Sequence, residues 1–183
     1  MPLTHAHFPD HTVESAPAAA RRTVQATADR LGYLPVGVGR MATSPQLLEG
    51  FFKMSALFES TTLEPLARET LILTIAARNG CHLCVAMHTA KLTALGADPE
   101  LIEALRAQQP PADPNLAAVR AFTLEVLATA GAVDDATLRA FLGHGYTPQN
   151  ALEVVLGIGA YTTSTLANRL LDAPVDDQLK AFA

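Results

Sequence analysis

The sequence is poor in cysteine, in basic charge and in long apolar runs, and each shortage closes off a class of protein. Only two cysteines occur among 183 residues, both inside "GCHLCVAMH", Gly80 to His88, so a disulfide-stapled framework is excluded. Thirteen Lys and Arg face eighteen Asp and Glu, a formal charge of −5 with the acidic residues scattered, which offers no attraction to a nucleic-acid backbone or an anionic membrane surface. Apolar runs such as "LILTIAA", residues 71–77, stop well short of a bilayer. The start, "MPLTHAHFPDHTVESAPAAA", lacks a basic segment followed by a continuous apolar one. The expectation is a soluble cytoplasmic protein without nucleic-acid or membrane partners. In that compartment an isolated Cys-x-x-Cys is reactive or metal-binding sooner than a permanent staple.

Alternating β-branched runs are also scarce, whereas helical apolar spacing recurs almost throughout, so the fold class is all-α. Residues 1–17, rich in Pro and His, read as an extended N-terminal arm over one domain spanning 18–183. Within the arm, His5, His7 and His11 belong to a polar segment able to collect adventitious metal. Helices are predicted at about 18–31, in the stretch between Pro35 and Pro45, and over "QLLEGFFKMSALFE", capped by Ser44. That last helix places Leu47, Phe51, Met54, Leu57 and Phe58 on one core stripe. A fourth helix, about 64–78, takes Pro65 in its first turn and ends at Asn79-Gly80. A fifth opens at Cys81 and runs to Leu95. Further helices follow Asp98 and cover about 116–130, 134–143 and 148–171, with a short one near the end. The proline-rich "QQPPADPN" is a loop inside the single domain.

Residues 50–78 laid over 134–162 show a weak internal similarity, at an offset of 84 positions that sets Glu69 on Glu153. The same offset sets Cys81, Cys84 and His88 on Thr165, Asn168 and Asp172, so a duplicated unit would carry chemistry in its first copy and scaffold in its second.

Three- and four-residue spacings on the fifth helix bring Cys81 to Cys84 and Cys84 to His88. A thiol and an imidazole one turn apart can exchange a proton. Cys81 sits at a helix start, where unpaired N–H groups favour a thiolate. Glu69 precedes Gly80 by about 16 Å of helical rise and His88 follows it by about 12 Å, so an antiparallel hairpin puts them within one turn of the same level. A carboxylate there would orient the imidazole, the third member of a nucleophile, base and orienter set. On spacing alone the attacking cysteine stays open: the helix start favours Cys81 and the histidine favours Cys84.

"RETLILTIAARNGCHLCVAMHT" resembles the core of the AhpD-like alkylhydroperoxidases of the carboxymuconolactone decarboxylase superfamily, and "LGYLPVGVGRMATSPQLLEGFF" upstream is similar to its peroxidase-related branch. Glu69, Cys81, Cys84 and His88 match the pattern Arg-Glu, apolar helix, Asn-Gly, Cys-x-x-Cys-x-x-x-His. AhpD proper carries a further His immediately before the second cysteine, where this chain has Leu83, with His82 one position earlier. The resemblance implies an AhpD-like helical fold and a thiol peroxidase of peroxiredoxin type without metal or organic cofactor. Cys84 would attack the peroxide, Cys81 would condense with the resulting sulfenic acid to a redox disulfide, and Glu69 and His88 would relay protons. A hydroperoxide, a dithiol electron donor (protein or small thiol) and further copies in a homo-oligomer, trimer or hexamer, are the implied partners.

Other readings stand beside this one. The two thiols as inert buried residues are one. A zinc site from Cys81, Cys84, His88 and Glu69 is another, although ligands crowded on one short helix complete a tetrahedron poorly. A general disulfide oxidoreductase, a decarboxylase-like enzyme and a non-enzymatic assembly protein are the remaining function classes. His82 reads as a surface or rim residue, His144 as a helix-end residue satisfying carbonyls, and Asn168-Arg169 as a subunit contact or a solvated helix face.

Overall fold

The structure, a computed structural model, describes residues 7–183. His5 and the first part of the predicted arm therefore lie outside the described residues. Among the described residues nine α-helices follow one another: α1 Ala18–Leu31, α2 Val36–Met41, α3 Pro45–Glu59, α4 Pro65–Arg78, α5 His82–Ala94, α6 Pro99–Arg106, α7 Pro114–Ala128, α8 Asp135–Gly143 and α9 Pro148–Leu170. A 3-10 turn, Asp177–Phe182, closes the chain. Among the described residues there is no strand, and no helix is long and apolar enough to cross a membrane.

Short polar side chains followed by proline start these helices. Ser44, Asp98, Asp113 and Thr147 each accept a backbone N–H of the first turn ahead of Pro45, Pro99, Pro114 and Pro148. Each such cap is worth roughly 1 kcal/mol, and the proline sits where a helix has no N–H to lose.

Helix α4 is the axis of the fold. Nine of its fourteen residues are buried, on every side, because α5, α7 and α9 all pack against it. A helix apolar all round belongs inside, and Leu71, Ile72 and Ile75 accordingly meet Phe58, Val119, Phe122, Val154 and Tyr161. Helix α3 corrects the predicted stripe: Leu57 is 59% exposed, while Leu48, outside that stripe, is fully buried. The helix packs on α9 along one side and on α1 and α2 along another, so its buried face is turned from the one a single-partner stripe assumes.

Residues 7–17 contain no α-helix and lie on the body, with Phe8, Val13 and Ala16 packed against Val24, Leu48 and Leu171. Arg40 ties this segment down, holding Asp10 at 2.5 Å and the carbonyls of Leu171 and Asp172 at 2.9 and 2.7 Å. At the other terminus the 3-10 turn packs on α5, Arg106 donates to the Phe182 carbonyl, and Asp176 accepts the Val36 N–H that opens α2.

Candidate active site

The bend between α4 and α5 is built from the sequence Asn79-Gly80-Cys81. Gly80 takes the left-handed conformation, φ +63°, that a Cβ would strain. The N–H groups of Gly80 and Cys81 turn back to the carbonyls of Ala77 and Ala76, the paired closure that ends a helix at glycine. Cys81 is at once the last residue of that closure and the N-cap of α5. Arg169 donates to the Asn79 carbonyl and Asn79 donates to Thr165 Oγ1, so α9 clamps the bend from outside.

The two cysteine sulfurs lie 2.8 Å apart and share a hydrogen bond. Their acidities diverge. Cys81 is held below the ordinary thiol value by its hydrogen bond with Cys84, by the helix-start N–H groups and by the Arg169 charge, against the opposing effect of burial. Cys84 is pushed up by that same bond to Cys81, by burial and by the charge on its neighbour, although Asn168 and Ser164 pull the other way. The pair thus gives up one proton readily and the second with difficulty.

Glu69 and His88 meet, as the hairpin spacing allows, with Glu69 Oε2 2.7 Å from His88 Nδ1. Glu69 Oε1 faces Lys91 Nζ at 3.0 Å, and Lys91 reaches on to Glu59 at 2.5 Å. Burial works to raise the Glu69 carboxyl, but His88 and then Lys91 outweigh it and hold the carboxyl below its usual range. Lys91 is correspondingly held above its usual value: burial lowers it, and Glu69 and Glu59 prevail. Since Nδ1 serves Glu69, His88 Nε2 is the nitrogen left without a hydrogen bond among the described residues. The imidazole stands edge-on to Tyr161, whose hydroxyl pairs with Ser55. Glu69, Cys81, Cys84 and His88 are all 5% exposed or less, so charge here acts in a nearly dry medium.

Of the four predicted residues, Cys81 pairs with Cys84 and Glu69 with His88, both pairs lying on the α4–α5 hairpin. His82 is exposed on the first turn of α5 and makes none of these contacts, whereas Leu83 is buried beside Gly37. His144 differs from expectation: its ring sits 3.4 Å from the Asn115 side chain instead of on helix-end carbonyls. His7 and His11 join no metal-binding group among the described residues. The reading of Asn168-Arg169 as a solvated face also fails, because Asn168 is buried and donates to Cys84 Sγ at 3.3 Å. Lys91 and Tyr161 escaped sequence reasoning altogether. For Asn168 a signal existed, since the 84-residue offset places it on Cys84.

Residues 45–125, which contain Glu69, Cys81, Cys84 and His88, match the profile of the carboxymuconolactone decarboxylase family. The whole fold superposes on the AhpD core of an uncharacterized peroxidase-related protein from Ralstonia eutropha JMP134, with a TM-score of 0.82 and 23% identity over 94% of this chain and 93% of that one. The chain thus resembles the carboxymuconolactone decarboxylase family over residues 45–125, and its fold is AhpD-like. A peroxidase-related protein from Silicibacter sp. TM1040 shares the fold at a TM-score of 0.78 and 18% identity, over 94% and 91% of the two chains. So does an alanine variant of the debrominase Bmp8 in complex with 2,3,4-tribromopyrrole, at 0.73 and 16%, over 96% and 94%. At these identities the likeness speaks for the fold alone, a fold on which more than one chemistry is found. No curated protein sequence matches the chain.

Proposed function

We propose that this chain is a thiol peroxidase that reduces hydroperoxides through a dithiol–disulfide cycle of Cys81 and Cys84, with Glu69 and His88 as the proton relay. The observation that carries the reading is the buried sulfur pair, 2.8 Å apart, one helical turn from an imidazole held by a carboxylate. Cys84 thiolate attacks the distal peroxide oxygen, the O–O bond breaks, and a proton from His88 leaves with the alkoxide: Cys84-S⁻ plus ROOH plus H⁺ gives Cys84-SOH plus ROH. Cys81-SH then displaces water from the sulfenic acid and forms the disulfide. An external dithiol, protein or small molecule, restores both thiols by exchange.

The cycle requires no metal or organic cofactor. A cytoplasmic setting, where reducing dithiols abound, fits it. Self-association into a trimer or hexamer belongs to the same reading. It draws support from an apolar stripe along α9, where Leu152, Val155, Leu166 and Leu170 are exposed.

Thiol titration with and without one equivalent of an organic hydroperoxide tests the assignment. Loss of both thiols in the unaltered chain and of none as disulfide in Cys84→Ser is the expected result. Retention of both thiols after peroxide treatment refutes it. Disulfide formation with oxidised dithiols but not with peroxide would instead make the chain a general disulfide oxidoreductase.

A further inference from the structure

The two polar atoms of the Asn168 side chain are in opposite conditions. Nδ2 donates to Cys84 Sγ at 3.3 Å, while Oδ1 is buried and has no hydrogen-bond partner among the described residues. An unpaired buried carbonyl costs about 1–3 kcal/mol, and a residue that only filled space here would do so better as leucine. Its surroundings keep the amide in place. Oδ1 abuts α2 so closely that a Cβ at Gly37 would lie 2.7 Å from it, and the neighbouring Thr165 is tied to Asn79 across the bend. Ser164, one turn earlier on α9, donates to the Tyr161 carbonyl at 3.3 Å and is a second group that pulls the Cys84 thiol pKa down. The arrangement leaves a polar group unsatisfied on one side in order to aim the amide N–H at sulfur on the other. N–H donors gain most from an anionic acceptor, so this one favours charge on Cys84.

We propose that Asn168 is a catalytic residue of this site: its amide donates to Cys84 Sγ, holds negative charge there through thiolate and sulfenate, and thereby selects Cys84 over Cys81 as the attacking sulfur. The selection rests on the peroxidase reading; the stabilised charge on Cys84 does not.

Cys81→Ser protein leaves Cys84 as the sole thiol, and its alkylation by iodoacetamide is followed against pH alone and with Asn168→Asp or Asn168→Leu added. The expected result is a midpoint raised by at least one pH unit in both, about a tenfold slower reaction below it. An unmoved midpoint in folded Asn168→Leu protein overturns the proposal. Should both variants unfold, the side-chain amide resonance of Asn168 in ¹⁵N-labelled Cys81→Ser protein decides: it titrates with the alkylation midpoint if the amide binds the thiolate, and a stationary resonance overturns the role. Sulfenic acid is then trapped with dimedone after one equivalent of cumene hydroperoxide. Trapping in Cys81→Ser but not in Cys84→Ser supports the selection, and the reverse overturns it. A shifted midpoint with no sulfenic acid in either protein overturns the peroxidase reading while upholding Asn168 as the donor to the anion.

Discussion

Glu69→Gln removes one negative charge from the site and leaves its shape unaltered. The carboxylate is 3% exposed and splits its oxygens between His88 Nδ1, at 2.7 Å, and Lys91 Nζ, at 3.0 Å. In the variant the amide oxygen still accepts from His88, but the other arm is then an NH2 group turned toward the Lys91 ammonium. Lys91 escapes that conflict, because its side chain is 45% exposed and already holds Glu59. The uncompensated loss therefore lies at His88, where a charge-assisted bond worth about 1.5–3 kcal/mol becomes a neutral one worth about 0.5–1.5 kcal/mol. The expected destabilisation at neutral pH is about 1–2 kcal/mol, or roughly 2–8 °C in Tm for a chain of this size.

The pH dependence carries the sign. A carboxyl whose folded pKa lies below its unfolded value, about 4.3, contributes stability that is fully present above that value and lost as pH falls through the folded one. Melting curves of the unaltered and Glu69→Gln proteins, separated at pH 7, should converge as the pH drops below about 4. Peroxide-driven disulfide formation, read by thiol titration after rapid acid quench, should fall by about 10² or more, the usual contribution of a positioned acid–base group. A Tm difference equal at pH 3.5 and 7, or no difference at either, refutes the claim that the Glu69 charge secures His88.

Gly157→Ala should lower the urea midpoint, since a Cβ there would sit 2.6 and 2.7 Å from the Phe58 ring and 2.9 Å from Leu71 Cδ2. Overpacking of about 1–3 kcal/mol exceeds the roughly 1 kcal/mol a helix gains when alanine replaces glycine, so a stabilised variant would show that the α3–α9 contact is looser than described. Leu166→Glu places a charge in the exposed stripe of α9 and should shift sedimentation velocity toward a smaller species. An unchanged sedimentation coefficient would remove that face as the interface.

What was legible in the sequence was local. Ser44-Pro45, Asp98-Pro99 and Thr147-Pro148 announce helix starts through contacts within three residues, and Asn79-Gly80 announces the bend through one permissive backbone position. The meeting of Glu69 with His88 was also within reach, because a hairpin of two rigid helices converts spacing into height. Contacts set by how distant helices lie on one another were not. Leu57 and Leu48 exchange places because α3 has neighbours on two sides. Tyr161 reaches His88, and Asn168 reaches Cys84, only because α9 crosses the hairpin. Spacing within α5 cannot report a donor arriving from 84 residues away.

The unequal acidity of the two thiols bears on the order of events in the proposed cycle. First ionisation leaves the charge on Cys81, with the remaining proton on Cys84 and shared across 2.8 Å. Attack by Cys84 then requires that proton to move to Cys81, so Cys81 acts as the base for its neighbour and the charge appears on Cys84 facing Asn168 and Ser164. The transfer also leaves Cys81 as the thiol that the condensation step consumes. A cysteine of lowered pKa at the helix start and an attacking cysteine three residues later are therefore compatible: the first stores the base, and α9 supplies the groups that draw the charge to the second.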